Sequence, residues 1–93
     1  MTSESKELKE YVGKEVVIDT KSTMVYLGKL RSIGESFITL VDADVYDSSE
    51  GASRKEVYIH QARKFGIRRN RQRVEVRKSE MMSISLLSDV VEY

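Results

Sequence analysis

The sequence predicts a mostly β fold: a small, bent, five-stranded antiparallel barrel with an N-terminal helix and a long insert between its third and fourth strands. Three observations predict it. Short β-branched or alternating runs recur along the chain, separated by glycine or polar turns. Helical spacing is confined to the first dozen residues and one stretch after residue 55. At 93 residues, the chain has room for one domain, 1–93, and one hydrophobic core.

The first element reads as a short helix. Thr2, Ser3 and Ser5 offer N-caps, and Glu4 and Glu7 suit the positive end of the helix dipole. Leu8, Tyr11 and Val12 fall at i, i+3 and i+4 as one apolar stripe, and Gly13 supplies the stop. Glu15–Asp19 is a β-branched run, and Thr23–Ile33 is a longer strand with Gly28 marking a bend or bulge. Gly34 turns the chain into Ser36–Val45, where Phe37, Thr39 and Val41 oppose Ile38 and Leu40. Apolar character on both faces suits a strongly curved sheet covered on both sides.

Asp47–Ser53 is a loop by composition. Glu56–Gly66 carries both strand and helix signals, with a short helix the favoured reading. Arg73–Arg77 alternates with Val74 and Val76 on one face, and Met81–Leu87 alternates with Met82, Ile84 and Leu86 together. Three residues connect these two strands tightly.

Composition narrows the function classes. Cysteine is absent and His60 is the single histidine, so neither disulfides nor a Cys/His metal site can support so small a core. Oligomerisation is the remaining support. No run approaches a bilayer span of about 20 apolar residues, and the first ten residues are polar. The expectation is a soluble cytoplasmic protein with no membrane partner. A total charge of +1 conceals a division: residues 54–78 hold ten Lys or Arg against Glu56 and Glu75, a net +8, which leaves −7 for the rest. Such a division fits a polyanion-binding face or attraction between adjacent subunits. No nucleophile triad, phosphate-cradling glycine loop or metal cluster is legible. Asp42, Asp44 and Asp47 lack the loop glycine and bidentate glutamate of a calcium loop and read as a solvated strand end. The chain is therefore expected to have no catalytic residue, no bound metal and no cofactor.

The element order, with G-K-L at 28–30, S-F-I-T-L at 36–40 and V-R-K-S-E at 76–80, resembles the Sm/LSm family of ring-forming RNA-binding proteins, which includes Hfq. The likeness covers nearly the whole chain except a basic insert (47–72), where family members vary most: an Sm1-like stretch spans 16–45 and an Sm2-like stretch 73–87. It implies an Sm-like barrel whose fourth strand pairs with the fifth strand of the next copy. Repetition of that contact would close a homo-oligomeric ring of six or seven subunits. The pattern also departs from the family. Its acidic position falls on Gly34 or Glu35, its asparagine on Ile38 or Thr39, and the glycine after the arginine is Lys78.

The resemblance implies pore-facing residues from the third strand and from the turn between the fourth and fifth. Phe37 could stack a base, against a plain role as core aromatic. Thr39 could bond a base edge, against a role as a strand former. Arg77 matches the family arginine and could clamp a base or phosphate with Lys78 beside it, against a structural ion pair with Glu75 or Glu80. Arg68, Arg69, Arg71 and Arg73, with Asn70 and Gln72, suit phosphate and some base-edge contacts, against a solvated charged loop. The expected function is single-stranded RNA binding in or near a central pore, with a chaperone or scaffold role and no catalysis. The rival is an Sm-fold assembly module that keeps the ring without binding RNA. A third reading is a monomeric SH3-like barrel.

Overall fold

The structure, a computed structural model, describes residues 3–50 and 54–91. A short helix α1 (Ser3–Leu8) runs into a 3-10 turn at Lys9–Tyr11. Five strands follow: β1 (Glu15–Thr20), β2 (Met24–Ile33), β3 (Phe37–Asp47), β4 (Arg71–Arg77) and β5 (Met81–Leu86). Helix α2 (Lys55–Phe65) lies between β3 and β4, and a second 3-10 turn, Lys78–Glu80, joins β4 to β5. The sheet order is β4-β3-β2-β1-β5, with every pairing antiparallel. The two edges are therefore β4 and β5.

Each face of this sheet carries its own apolar cluster. Val16, Ile18, Leu30, Ile38, Leu40, Ala43 and Val76 point to one side, where Leu8 of α1 covers them. Val17, Val25 and Leu27 point to the other side, under Ile59 and Ala62 of α2 and Leu87. The mixed apolar pattern of the strands follows from this double coverage. Helix α2 forms where the favoured sequence reading put it. Its buried Ile59 and Ala62, three apart, make one stripe toward the sheet. Gly66, at φ 93°, ends it as a left-handed stop.

Three register shifts bend the sheet and reverse which residues face inward. Between the pairs Leu27↔Asp44 and Lys29↔Val41, β3 carries one residue more than β2. Asp42 absorbs it at φ 49°, a conformation uncommon for a residue with a side chain. Gly28 lies opposite. A Cβ there would stand 3.1 Å from Ala43 Cβ and 3.2 Å from the Val41 carbonyl oxygen, so the two strands approach too closely for a larger residue. A second shift separates Leu30↔Leu40 from Ser32↔Thr39.

The third shift falls between Asp19↔Ser83 and Thr20↔Met81, and it corrects one expectation. Met81 packs on the first core with Ile84 and Leu86, while Met82 is turned out at 71% exposure. The helical stripe is also shorter than expected. Val12 is extended (φ −63°, ψ 131°) and exposed, because the chain leaves the 3-10 turn there to place the Gly13 N–H on the Leu30 carbonyl at 2.7 Å. Strand β4 begins at Arg71, two residues earlier than the alternation suggested. The proposed cap Thr2 lies outside the described residues, as do 51–53 of the loop and the last two residues of the tail.

Candidate nucleic-acid interface

The β2–β3 hairpin and the β4–β5 turn meet at one end of the sheet. Gly34 donates its N–H to the Phe37 carbonyl at 2.8 Å, closing the hairpin, and the Lys78 N–H reaches the Ser36 carbonyl at 2.8 Å. These backbone bonds fix the two turns side by side. Phe37 opens β3 directly opposite Arg77, the last residue of β4. The Arg77 guanidinium lies 4.7 Å from the centre of the Phe37 ring, a cation–π contact. Phe37 is 36% exposed, far from the full burial of a core aromatic. A cleft of about 310 Å³ adjoins the pair, lined by Glu35, Ser36, Arg77, Lys78 and Ser79. The arrangement brings an aromatic surface, a planar cation and backbone polar groups to one spot.

Thr39 is placed differently. It is buried at 7% exposure, and its hydroxyl donates to Glu75 Oε1 at a long 3.4 Å. Glu75 also pairs with Arg73, Nη2 to Oε1, at 3.2 Å. This ion pair is mostly exposed, the class of contact that contributes little to stability.

The arginine cluster lies at the other end of β4. Arg71 is six residues from Arg77, about 20 Å along an extended strand. Arg69 bonds Asp42 Oδ1 at 2.6 Å, and Arg71 donates to the Asn70 carbonyl at 3.0 Å. The Asn70 amide is taken up by the backbone of Val45, accepting its N–H at 3.0 Å and donating to its carbonyl at 3.1 Å. Asn70 thus continues the β3–β4 ladder with a side chain in place of a strand residue. Arg68 lines a separate groove against α2. Of the eight nominated residues, Phe37, Arg77 and Lys78 come together, Arg69, Arg71 and Arg73 lie along β4 and its approach, Arg68 lines the groove against α2 and Thr39 lies inside the sheet.

The aspartates of β3 each have a local partner. Asp42 holds Arg69, Asp44 accepts the Tyr58 hydroxyl at 2.6 Å, and Asp47 accepts from Thr23 and Ser49. Those bonds, the Ser49 hydroxyl foremost, hold the Asp47 carboxyl below its usual range. Alternation would put Asp42 and Asp44 on one face and Asp47 on the other, and the bulge at Asp42 separates the first two as well. Among the described residues, no group of three acidic, histidine or cysteine side chains could hold a metal ion, and no helix is long and apolar enough to cross a membrane.

Sequence reasoning missed two features of this surface. Ser36 and Ser79 enter the first cleft through the turn geometry, which no side-chain motif announces, beside Glu35, one of the two positions matching the family's acidic residue. Tyr46 and Tyr58 stack at 4.0 Å between ring centres, bringing together residues from β3 and α2. No local sequence pattern joins them, since V-Y also occurs at Val25–Tyr26, outside the stack.

By sequence, the chain matches no protein-family model and no curated protein. By structure it is similar to an Sm protein of Pyrococcus abyssii solved in complex with a uridine heptamer, at TM-score 0.59 and 15% identity, over 87% of this chain and 93% of that one. It is similar to the P. aerophilum SmAP1 heptamer at TM-score 0.54 and 19% identity, over 92% and 95% of the two chains. A chain of the NatC complex bound to CoA also aligns, at TM-score 0.56 and 14% identity, over 85% and 82%. The fold is Sm-like: five antiparallel strands in one bent sheet with a short N-terminal helix.

Proposed function

We propose that this chain is a cytoplasmic, ring-forming subunit that binds single-stranded RNA at the Phe37–Arg77 cleft. Edge strand β4 of one copy would pair with edge strand β5 of the next, completing the hydrogen bonds that each edge leaves open. Six or seven copies would then close a ring and repeat the cleft once per subunit around a pore. Each cleft stacks a base on Phe37 and meets a base edge or phosphate with Arg77 and Lys78. No bond is made or broken. The protein acts by holding an RNA strand open, as a chaperone or scaffold. The Arg69–Arg73 surface adds attraction to phosphate from further away.

The observation that carries this reading is the exposed Phe37 ring under the Arg77 guanidinium, fixed in place by strand register. The uridine heptamer bound by the Pyrococcus Sm protein and the heptameric P. aerophilum protein support the ligand class and the ring. The test is light scattering of the full chain together with anisotropy of labelled oligo-U and oligo-A at two salt concentrations. A mass of six or seven times 10.7 kDa and binding that weakens with salt are expected. A monomer at high concentration would remove the pore. Failure to bind either oligomer at low salt would remove the RNA.

One observation favours the second reading, a ring that scaffolds without binding RNA. The two positions where the family carries its asparagine are Ile38, fully buried, and Thr39, whose hydroxyl is turned toward Glu75. Neither presents an amide to a base. An assembled ring that binds no RNA would select this reading.

A further inference from the structure

The groove between α2 and the far part of β3 takes no part in the proposal above. It encloses about 510 Å³, within the range usual for small-ligand sites (about 300–1,000 Å³). Tyr46 and Tyr58 form a stacked pair in its wall, with ring planes 12° apart. Phe65, in the last turn of α2, is 76% exposed, with Lys64 Nζ 5.5 Å from its ring centre. A single exposed apolar ring is ordinary on a protein surface; what singles out Phe65 is its place in the lining of the same groove as the tyrosine pair, Asp44 and Arg68. Arg68 lines the same groove and makes no ion pair among the described residues.

Asp44 is the one carboxylate in this lining. The Tyr58 hydroxyl donates to its Oδ2. Burial first, and then the bond to Asp44, push the Tyr58 pKa well above its ordinary value, so the phenol stays protonated and keeps donating. That bond orients the carboxylate and uses one of its roughly four acceptor positions. The groove therefore combines an oriented acceptor, exposed ring faces and an unpaired cation.

We infer that this groove binds one nucleotide whose base presents paired N–H donors, guanine above the others, with the base against Phe65 and the tyrosine pair, its donor edge on Asp44 and its phosphate on Arg68. Guanine offers an imino N–H and an amino group side by side, matching the two oxygens of a carboxylate. Uracil offers a single imino donor flanked by carbonyls, which a carboxylate repels. The cations Lys64 and Arg68 suit a ligand that carries negative charge beyond its base. The nucleotide could be free or part of an RNA strand, and the two sources share this chemistry.

The experiment titrates the full chain with the four nucleoside 5′-monophosphates, read by calorimetry and amide NMR. GMP should shift the resonances of residues 44–46 and 58–68 and bind about tenfold tighter than UMP, the scale of a good bidentate contact. Asp44→Asn should erase that preference. Arg68→Ala should weaken GMP and leave guanosine unchanged. Phe65→Ser alters an exposed side chain and so does not endanger folding; it should weaken every base about tenfold. A second arm compares a uridine heptamer with one carrying a central guanosine. Tighter binding of the latter than of the uridine heptamer, lost in Asp44→Asn, assigns the site to RNA, and equal binding of the two heptamers assigns it to the free nucleotide.

The inference is overturned if GMP shifts no resonance in the groove, or if Asp44→Asn and Phe65→Ser bind GMP as the unaltered chain does. It is equally overturned if Phe65→Ser lowers the oligomer mass while GMP binding is unchanged, which would make the groove a contact between subunits. Arg77→Ala separates this site from the Phe37 cleft: it should weaken oligo-U and leave GMP binding intact.

Discussion

The two ends of β3 differ in how their charge is used. At the Phe37 end, charges are few, and Arg77 sits over an aromatic ring beside a cleft. At the far end, charges are dense, yet several are engaged within the fold: Arg69 by Asp42, Asp44 by the Tyr58 hydroxyl and Lys55 by Asp19 at 3.0 Å. The densest basic run in the sequence is thus the one with more internal partners. Charge density along a chain marks a surface, whereas the pairing that register imposes decides which charges remain to meet a ligand.

The bulge at Asp42 separates the two ends, and Gly28 permits it. Replacing Gly28 with valine would drive side-chain atoms into Ala43 and the Val41 carbonyl. A cost of about 3 kcal/mol is expected for such overpacking, measurable as a lower denaturant midpoint at unchanged slope. Because β3 carries both surfaces, oligo-U and GMP binding should fall together in this variant. Loss of one alone would show that the ends are not joined through the bulge.

Substitutions at the two ends should differ in kind. Arg77→Ala should weaken oligo-U by about 2 kcal/mol, the scale of a charge-assisted hydrogen bond. Arg71→Ala should weaken every sequence alike and reduce the slope of log affinity against log salt by about one. If Arg71→Ala were the more damaging in oligo-U, the densely charged end would be the principal RNA surface. A double-mutant cycle of Phe37→Ala and Arg77→Ala, read on stability without RNA, measures the ring contact itself. A coupling of about 0.5–1 kcal/mol is expected for an exposed cation–π pair.

Much of this was legible in the sequence, and most of the gaps share a physical origin. Element order and the stop at Gly13 follow from period-two alternation and turn residues, whereas the edge pair β4 and β5 and the nearness of Phe37 to the β4–β5 turn were implied by the family resemblance alone. What alternation cannot reveal is a one-residue register shift, because that depends on the partner strand. Two misses lie at such shifts: Met82 is turned outward where Thr20 meets Met81, and Asp42 leaves the line of Asp44 in the bulge it forms. Val12 differs, because the chain leaves its turn early there. The tyrosine stack lies past that bulge and also needs α2, so no local pattern contains it. Thr39 faces Glu75 because the β3–β4 register pairs them directly, a partner that β3 alone cannot name.

Alkaline unfolding tests the electrostatic contrast directly. Burial and the bond to Asp44 raise the Tyr58 pKa above its ordinary 10.0. As pH rises past that value, the unfolded chain releases this proton while the folded chain retains it. The folded state then binds more protons, so its stability falls as pH increases. The contribution is complete below pH 10 and is lost on the alkaline side. Tyr58→Phe removes both the hydrogen bond and the slope. At neutral pH the variant should be less stable by about 1 kcal/mol, and the difference should shrink as the solution becomes alkaline. Urea unfolding across that range measures it, with Phe37→Ala as the control that keeps the unaltered slope. Equal alkaline slopes for Tyr58→Phe and the unaltered chain would mean that the Tyr58–Asp44 bond does not hold in solution. The guanine site would then lose its oriented carboxylate, and the two ends of β3 would differ in charge count alone.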